Sequence, residues 1–309
     1  MPHAASRFRV LFAVCYSTLV ISLAGVLVAQ RLHTVPVEAA SAPRKARHVV
    51  KRKAAPIRHR RRARRATPAI AFRGVKIAGV PMKVVQVDPR RDNVRLAVVT
   101  ARKGVGYMDS WSRMIHRTGP VAAVTGTYFD TNTALPIGLI RVAGKTVHRG
   151  GIGTAFLVRN GKGARIQTCR PGIGYRFTGY DTVLRAGPRL LTRGKRTLYP
   201  KSEGFRDPAV FARKPRTAIG IRRDGKVLLV AVKKPVLLRT LATALRRLGA
   251  VDAMCLDGGS STGLYYRGKT HVRPVRALTN LLVVYDSSWR YRRMAKRLNP
   301  GASRLARAN

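Results

Sequence analysis

Residues Val227 to Thr262, VLLVAVKKPVLLRTLATALRRLGAVDAMCLDGGSST, decide how this chain is read. An apolar, β-branched run opens the stretch, and leucines follow at helical spacing. Leu237, Leu238, Leu241, Leu245 and Leu248 share one face, Pro235 is placed to start the helix, and Gly249 to stop it. A second apolar run, Val251 to Leu256, ends on Asp257, Gly258 and Gly259, followed by Ser260, Ser261 and Thr262. Strand, helix and strand in this order form a crossover unit, which puts Asp257 at the carboxyl end of a buried strand, where open sheets gather ligands. Glycines there let the backbone turn sharply, and their N–H groups can converge with the hydroxyls on an anion or a sugar. An ordinary Asp-Gly turn, with no ligand, is the alternative.

Working outward, further short runs rich in β-branched residues read as strands. They are Val84 to Val87, Val94 to Thr100, Val121 to Thr125, Ala155 to Val158, Ala218 to Ile221, Gly263 to Tyr266 and Leu281 to Tyr285. Arg223-Asp224-Gly225 makes the turn of a hairpin, and a second helix is predicted over Met108 to Arg117. The fold class expected is α+β: a mixed β-sheet domain with packed helices, preceded by a membrane-spanning helix and a disordered basic linker. The predicted organisation is a signal anchor over 1–33, a linker over 34–69, a domain over 70–287 and a basic tail over 288–309.

The anchor is read from the apolar run Val10 to Ala29, long enough to cross a hydrocarbon core. Val37-Glu38-Ala39 also offers a small-residue cleavage site, so a secreted form is an alternative. Residues Thr34 to Pro68 carry hardly any large apolar side chain and cannot bury enough surface to fold alone. The chain holds 62 Lys and Arg against 12 Asp and Glu, a formal net charge of +50. Such a field recruits anionic glycans, lipid headgroups or nucleic acid. No nucleic-acid motif appears, so nucleic acid is not the expected partner. The basic segment after the apolar run would, by the positive-inside rule, stay in the cytoplasm, and the placement of the domain outside it rests instead on the resemblance drawn below. Cys15, Cys169 and Cys255 have no metal-ligand spacing, and Cys169 and Cys255 read as buried free thiols. No cofactor and no metal site is expected.

Three other segments look like parts of the same pocket as Asp257. One runs from Thr125 through Gly126, Thr127, Tyr128 and Phe129 to Asp130, a second is Arg216 to Gly220, and a third is the glycine-rich stretch His148 to Thr154. With these motifs in order, the chain resembles the phosphodiester glycosidase family, over about Ile70 to Tyr285. Thr125, Thr127 and Ser260 depart from the residues many members carry there. The resemblance implies hydrolysis between a sugar's anomeric carbon and a phosphate, in an envelope or exopolysaccharide-type substrate, by a domain held outside the cytoplasm. Phosphate is already a good leaving group, so the demand for a general acid is light. A carboxylate must serve as nucleophile or as base for water, with Asp257 the first candidate and Asp130 the second. Arg216 is the candidate phosphate clamp, or else a buried ion-pair partner of Asp130 or Asp257. Thr125, Gly126, Thr127, Tyr128, Gly258, Gly259, Ser260, Ser261 and Thr262 are the candidate substrate contacts, although Tyr128 and Phe129 are equally suited to the core. A non-catalytic binder of anionic glycans or nucleic acid is the competing function.

Overall fold

The structure is a computed structural model and describes residues 68–301, all within a compact unit that spans Ala63–Asn309. The Val10 to Ala29 run, most of the basic linker, and Cys15 lie outside the described residues. No helix among the described residues is long and apolar enough to cross a membrane.

In chain order, the first elements are strands Ile70–Ile77 (β1), Val80–Val87 (β2) and Arg95–Thr100 (β3), helix Trp111–Thr118 (α1), and strand Ala122–Thr125 (β4). Strands Gly138–Val142 (β5), Lys145–Gly151 (β6), Ala155–Arg159 (β7), Gly163–Gln167 (β8) and Thr182–Arg185 (β9) follow. Then come Arg189–Thr192 (β10), Lys195–Arg196 (β11), the short helix Pro208–Phe211 (α2), strands Lys214–Arg222 (β12) and Val227–Val236 (β13), helix Leu238–Arg247 (α3), and strand Ala250–Leu256 (β14). Leu264–Tyr266 (β15), Lys269–Val272 (β16), Asn280–Tyr285 (β17) and helix Ser288–Leu298 (α4) complete the described chain. This is an α+β architecture. Its strands form a seven-stranded sheet ordered β1-β2-β13-β12-β14-β10-β11 and two five-stranded sheets, β16-β15-β4-β17-β3 and β6-β5-β9-β7-β8.

The Val227 to Leu256 stretch is the crossover its sequence indicates. β13 and β14 both pair antiparallel with β12, which lies between them, so they run parallel to each other with α3 as the connection. Alternation explains the layering. Val227, Leu229 and Ala231 of β13 enter one core with Met254 and Leu256, while Leu228, Val230 and Val232 pack on the other side with Leu241 and Leu245 of α3. From Val227 to Val232 both faces of β13 are therefore buried, which is why that part of its sequence is a continuous apolar run; Lys233 and Lys234 beyond it are exposed. Pro235 does not start the helix: it lies near the end of β13, where Val236 still pairs with Lys214, and Leu237 is the N-cap. Gly249, at φ +96°, turns the chain out of α3 as expected.

α1 begins later than predicted because the Asp109 backbone pairs with Leu278 and Ser110 caps the helix, its hydroxyl accepting from the Arg113 N–H at 3.2 Å. The residues set aside as a basic tail include α4, which docks on the domain. Tyr291 and Met294 pack against the core, Leu298 is fully buried, and the Thr100 hydroxyl bonds the Asn299 side chain at 2.7 Å.

Candidate functional site

The turn after β14 links the seven-stranded sheet to β15 of the second sheet. The Asp257 N–H donates to the Gly126 carbonyl at 3.0 Å, which ties the end of β14 to the end of β4. Gly258 is required at its place, because a Cβ there would stand 2.7 Å from the Pro215 carbonyl oxygen. Gly259, at φ +58°, opens a single 3-10 turn through Ser261. This turn borders a cavity of about 800 Å³ whose walls also include Tyr128, Phe129, Arg216, His271 and Arg276.

Asp257 keeps partial solvent access, yet its carboxylate is packed deep among protein atoms. Desolvation dominates and pushes its pKa up to about 7, against smaller downward pulls from the Ser261 hydroxyl, the Gly258 N–H and the Arg276 charge. Among the described residues one hydrogen bond of full geometry reaches this carboxylate, from the Gly258 N–H at 2.8 Å, and the Ser261 hydroxyl lies near enough to stabilise its charge without meeting that geometry. Two further polar atoms on the cavity-lining residues are buried without partners among the described residues, the Tyr128 hydroxyl and the Thr262 Oγ1. The Cys255 thiol lies beside the Tyr128 hydroxyl without meeting hydrogen-bond geometry, and burial holds the pKa of both groups above their ordinary values. Unpaired buried hydroxyls cost free energy, and both oxygens are closed off from the open part of the cavity.

The structure separates the other sequence candidates into cavity and framework. Gly258, Gly259, Ser260, Ser261, Thr262 and Tyr128 line the cavity. Thr125, Gly126 and Thr127 do not; they form the framework behind it. The Thr125 hydroxyl donates to the Ser261 carbonyl, the Thr127 hydroxyl to the Arg185 carbonyl at 2.7 Å, and a Cβ on Gly126 would collide with the Asn280 side chain. Asp130 is also outside the lining. Its side chain is exposed and caps its own turn, accepting from the N–H groups of Asn132 and Thr133 at 2.9 and 2.8 Å; the Thr133 backbone bond leads the influences that hold its pKa below the usual value.

Arg216 does line the cavity, but much of its guanidinium serves the chain. It donates to the carbonyls of Val210, Ala212 and Val236, and among the described residues it pairs with neither Asp130 nor Asp257. The stretch His148 to Thr154 is away from the cavity: most of it is β6, His148 meets the Pro136 carbonyl at 2.6 Å, and Gly153 is pressed against the Ala186 carbonyl. Among the described residues Cys169 and Cys255 are free and buried, and Asp252 pairs with Arg189 as a structural group. Among the described residues no three His, Cys, Asp or Glu side chains gather as metal ligands.

Sequence reasoning missed two groups. The first is Arg273 and Arg276, in the loop between β16 and β17; both line the cavity, and the Arg276 guanidinium lies 4.7 Å from the centre of the Phe129 ring. Two arginines around Pro274 and Val275, just ahead of a strand, are the signal that was available. The second is Asn280, fully enclosed in β17. Its Oδ1 accepts from the Thr127 N–H at 2.9 Å and its backbone carbonyl from the Gly126 N–H at 3.2 Å, so it fixes the strand end on which Asp257 leans.

No curated protein matches the chain. Solved structures do. A hypothetical protein from Synechocystis superposes with a TM-score of 0.55 at 18% identity, over 71% of this chain and 64% of that one, less than two thirds of its length. The catalytic domain of zebrafish N-acetylglucosamine-1-phosphodiester alpha-N-acetylglucosaminidase, auto-inhibited by its pro-peptide, superposes with a TM-score of 0.58 at 20% identity, over 72% of this chain and 85% of that one. These likenesses establish a shared fold. A family model described as phosphodiester glycosidase matches residues 118–285, more than half of the sequence, and the chain belongs to that family.

Proposed function

We propose that the protein hydrolyses the bond between a sugar's anomeric carbon and a phosphodiester, in an envelope or exopolysaccharide-type substrate, as a membrane-anchored protein with its domain outside the cytoplasm. The observation that carries this reading is Asp257: an incompletely hydrogen-bonded carboxylate beside a cationic cavity, with its pKa raised to about 7. A base of that strength is matched to work near neutrality. Asp257 takes a proton from the attacking water, and the glycosyl–oxygen bond breaks with its electron pair leaving on the phosphate. Arg273 and Arg276 neutralise that phosphate, as guanidinium groups do well. Ser260, the exposed hydroxyl of the Asp257 turn, takes a sugar oxygen, and Arg216 holds the α2 segment against the β12–β13 hairpin.

The anchoring rests on the apolar run Val10 to Ala29, and the envelope location on that run together with the family. The test is turnover of a sugar-1-phosphodiester, followed by release of free sugar and phosphomonoester. Asp257→Asn is expected to lower turnover by about a thousandfold or more with the fold intact, since it removes the only base the mechanism uses. Tight binding with no product from any such substrate, or undiminished turnover in Asp257→Asn, would replace the enzyme with the binding module.

A further inference from the structure

The cavity carries more positive charge than one phosphodiester can match. Lys214 on β12 and Lys233 on β13 border it from the seven-stranded sheet, and Arg273 and Arg276 from the loop that follows β16 of the second sheet. The Asp257 turn is the segment that joins those two sheets. With Arg216 there are five cationic side chains against two carboxylates, Asp207 and Asp257. Asp207 is already engaged, its Oδ1 capping α2 through the Ala209 N–H at 2.8 Å.

The chain's overall charge accounts for cations on open surface, where water and salt screen them. Lys214, Lys233 and Arg273 are exposed, so water screens part of their charge, but all border one concave cavity in which their fields add and draw anions. A phosphodiester supplies one negative charge. We infer that the cavity binds a chain of sugars joined by phosphodiesters, holding one phosphate against Arg273 and Arg276 at the bond to be cleaved and a neighbouring phosphate of the same chain against Lys214 and Lys233. The inference rests on the glycosidase reading and narrows its substrate to a polymer with phosphate in its backbone. The two lysines suit the second phosphate: both are exposed, so they can follow a chain that leaves the cavity, whereas Arg276 is stacked on Phe129 and fixed.

A synthetic series with one, two and three phosphodiester-linked sugar units, offered to the full chain, tests this. kcat/KM is expected to climb about tenfold or more from one unit to three, mostly through KM, and the climb should shrink as salt rises. In a Lys214→Ala/Lys233→Ala protein the three-to-one ratio is expected to fall to within about twofold of unity. A ratio near unity in the parent protein, or a ratio that the double variant leaves intact, overturns the inference. Should no member of the series be hydrolysed, the glycosidase reading fails separately, and calorimetric binding of the same series to Asp257→Asn decides the inference. Affinity that rises with phosphate number and loses that rise when both lysines are removed supports it; affinity indifferent to phosphate number contradicts it.

Discussion

Asp257 and Glu203 are both acidic groups drawn into the protein, and burial raises the pKa of each. Their surroundings differ. Glu203 is 3% exposed, and each carboxylate oxygen meets a donor: the Thr154 hydroxyl at 2.6 Å and the Arg189 N–H at 2.7 Å, with the Arg189 charge close by. Among the described residues Asp257 has one hydrogen bond of full geometry, from its own turn, with the Ser261 hydroxyl nearby, and it lines a cavity. A saturated buried carboxylate fixes a framework, while one left short of partners at an opening is available to a substrate. The local cause is plain in each case. Glu203 sits in the short 3-10 turn between Pro200 and Gly204, closed in by Gly153 and Thr154 of the link between β6 and β7 and by Arg189 of β10, and Asp257 sits where one sheet ends and another begins.

The comparison breaks most visibly at Glu203. Glu203→Ala leaves the Thr154 hydroxyl and the Arg189 N–H without their acceptor and opens a void, and should cost about 3 to 5 kcal/mol in denaturant unfolding. A loss below about 1 kcal/mol would mean that the cluster is not the framework described. Asp257 should behave in the opposite sense. Its folded-state pKa is raised, so the stabilisation from holding it protonated is complete below about pH 4 and is lost as pH rises through about 7. The displacement from 3.8 to about 7 is worth roughly 4 kcal/mol at most, and partial solvent access reduces this to about 2. Asp257→Asn should therefore melt higher than the parent at pH 8 and close to it at pH 4. Equal melting differences at both pH values would contradict the raised pKa.

Much of this fold was legible in the sequence because its central strands are buried on both faces, and β-branched runs such as those of β3, β13 and β17 announce themselves. The strands that went unread have other reasons. β6, Lys145–Gly151, is half-exposed and carries Lys, His, Arg and two glycines, and β9 and β10 contain Arg185 and Arg189, buried arginines that satisfy themselves on backbone carbonyls and Asp252. Composition cannot distinguish such arginines from solvated ones. The site divided in the same way. The glycine and hydroxyl residues after Asp257 face the cavity, but equally polar Thr125 and Thr127 turn inward to bond carbonyls, and which way a hydroxyl turns is set by distant residues such as Asn280 and Arg185. Arg216 was legible as an arginine entering a strand, read as a phosphate clamp or an ion-pair partner, yet the carbonyls it serves come from the α2 end and β13, whose approach no spacing in the sequence encodes.

The contrast between the two carboxylates comes to its sharpest test in the pH dependence of kcat/KM for a sugar-1-phosphodiester. If Asp257 is the base, kcat/KM should rise about tenfold per pH unit below neutrality and level off above an apparent pKa near 7. A profile that is flat between pH 5 and 8, or one that falls as pH rises through 7, would contradict the role given to Asp257.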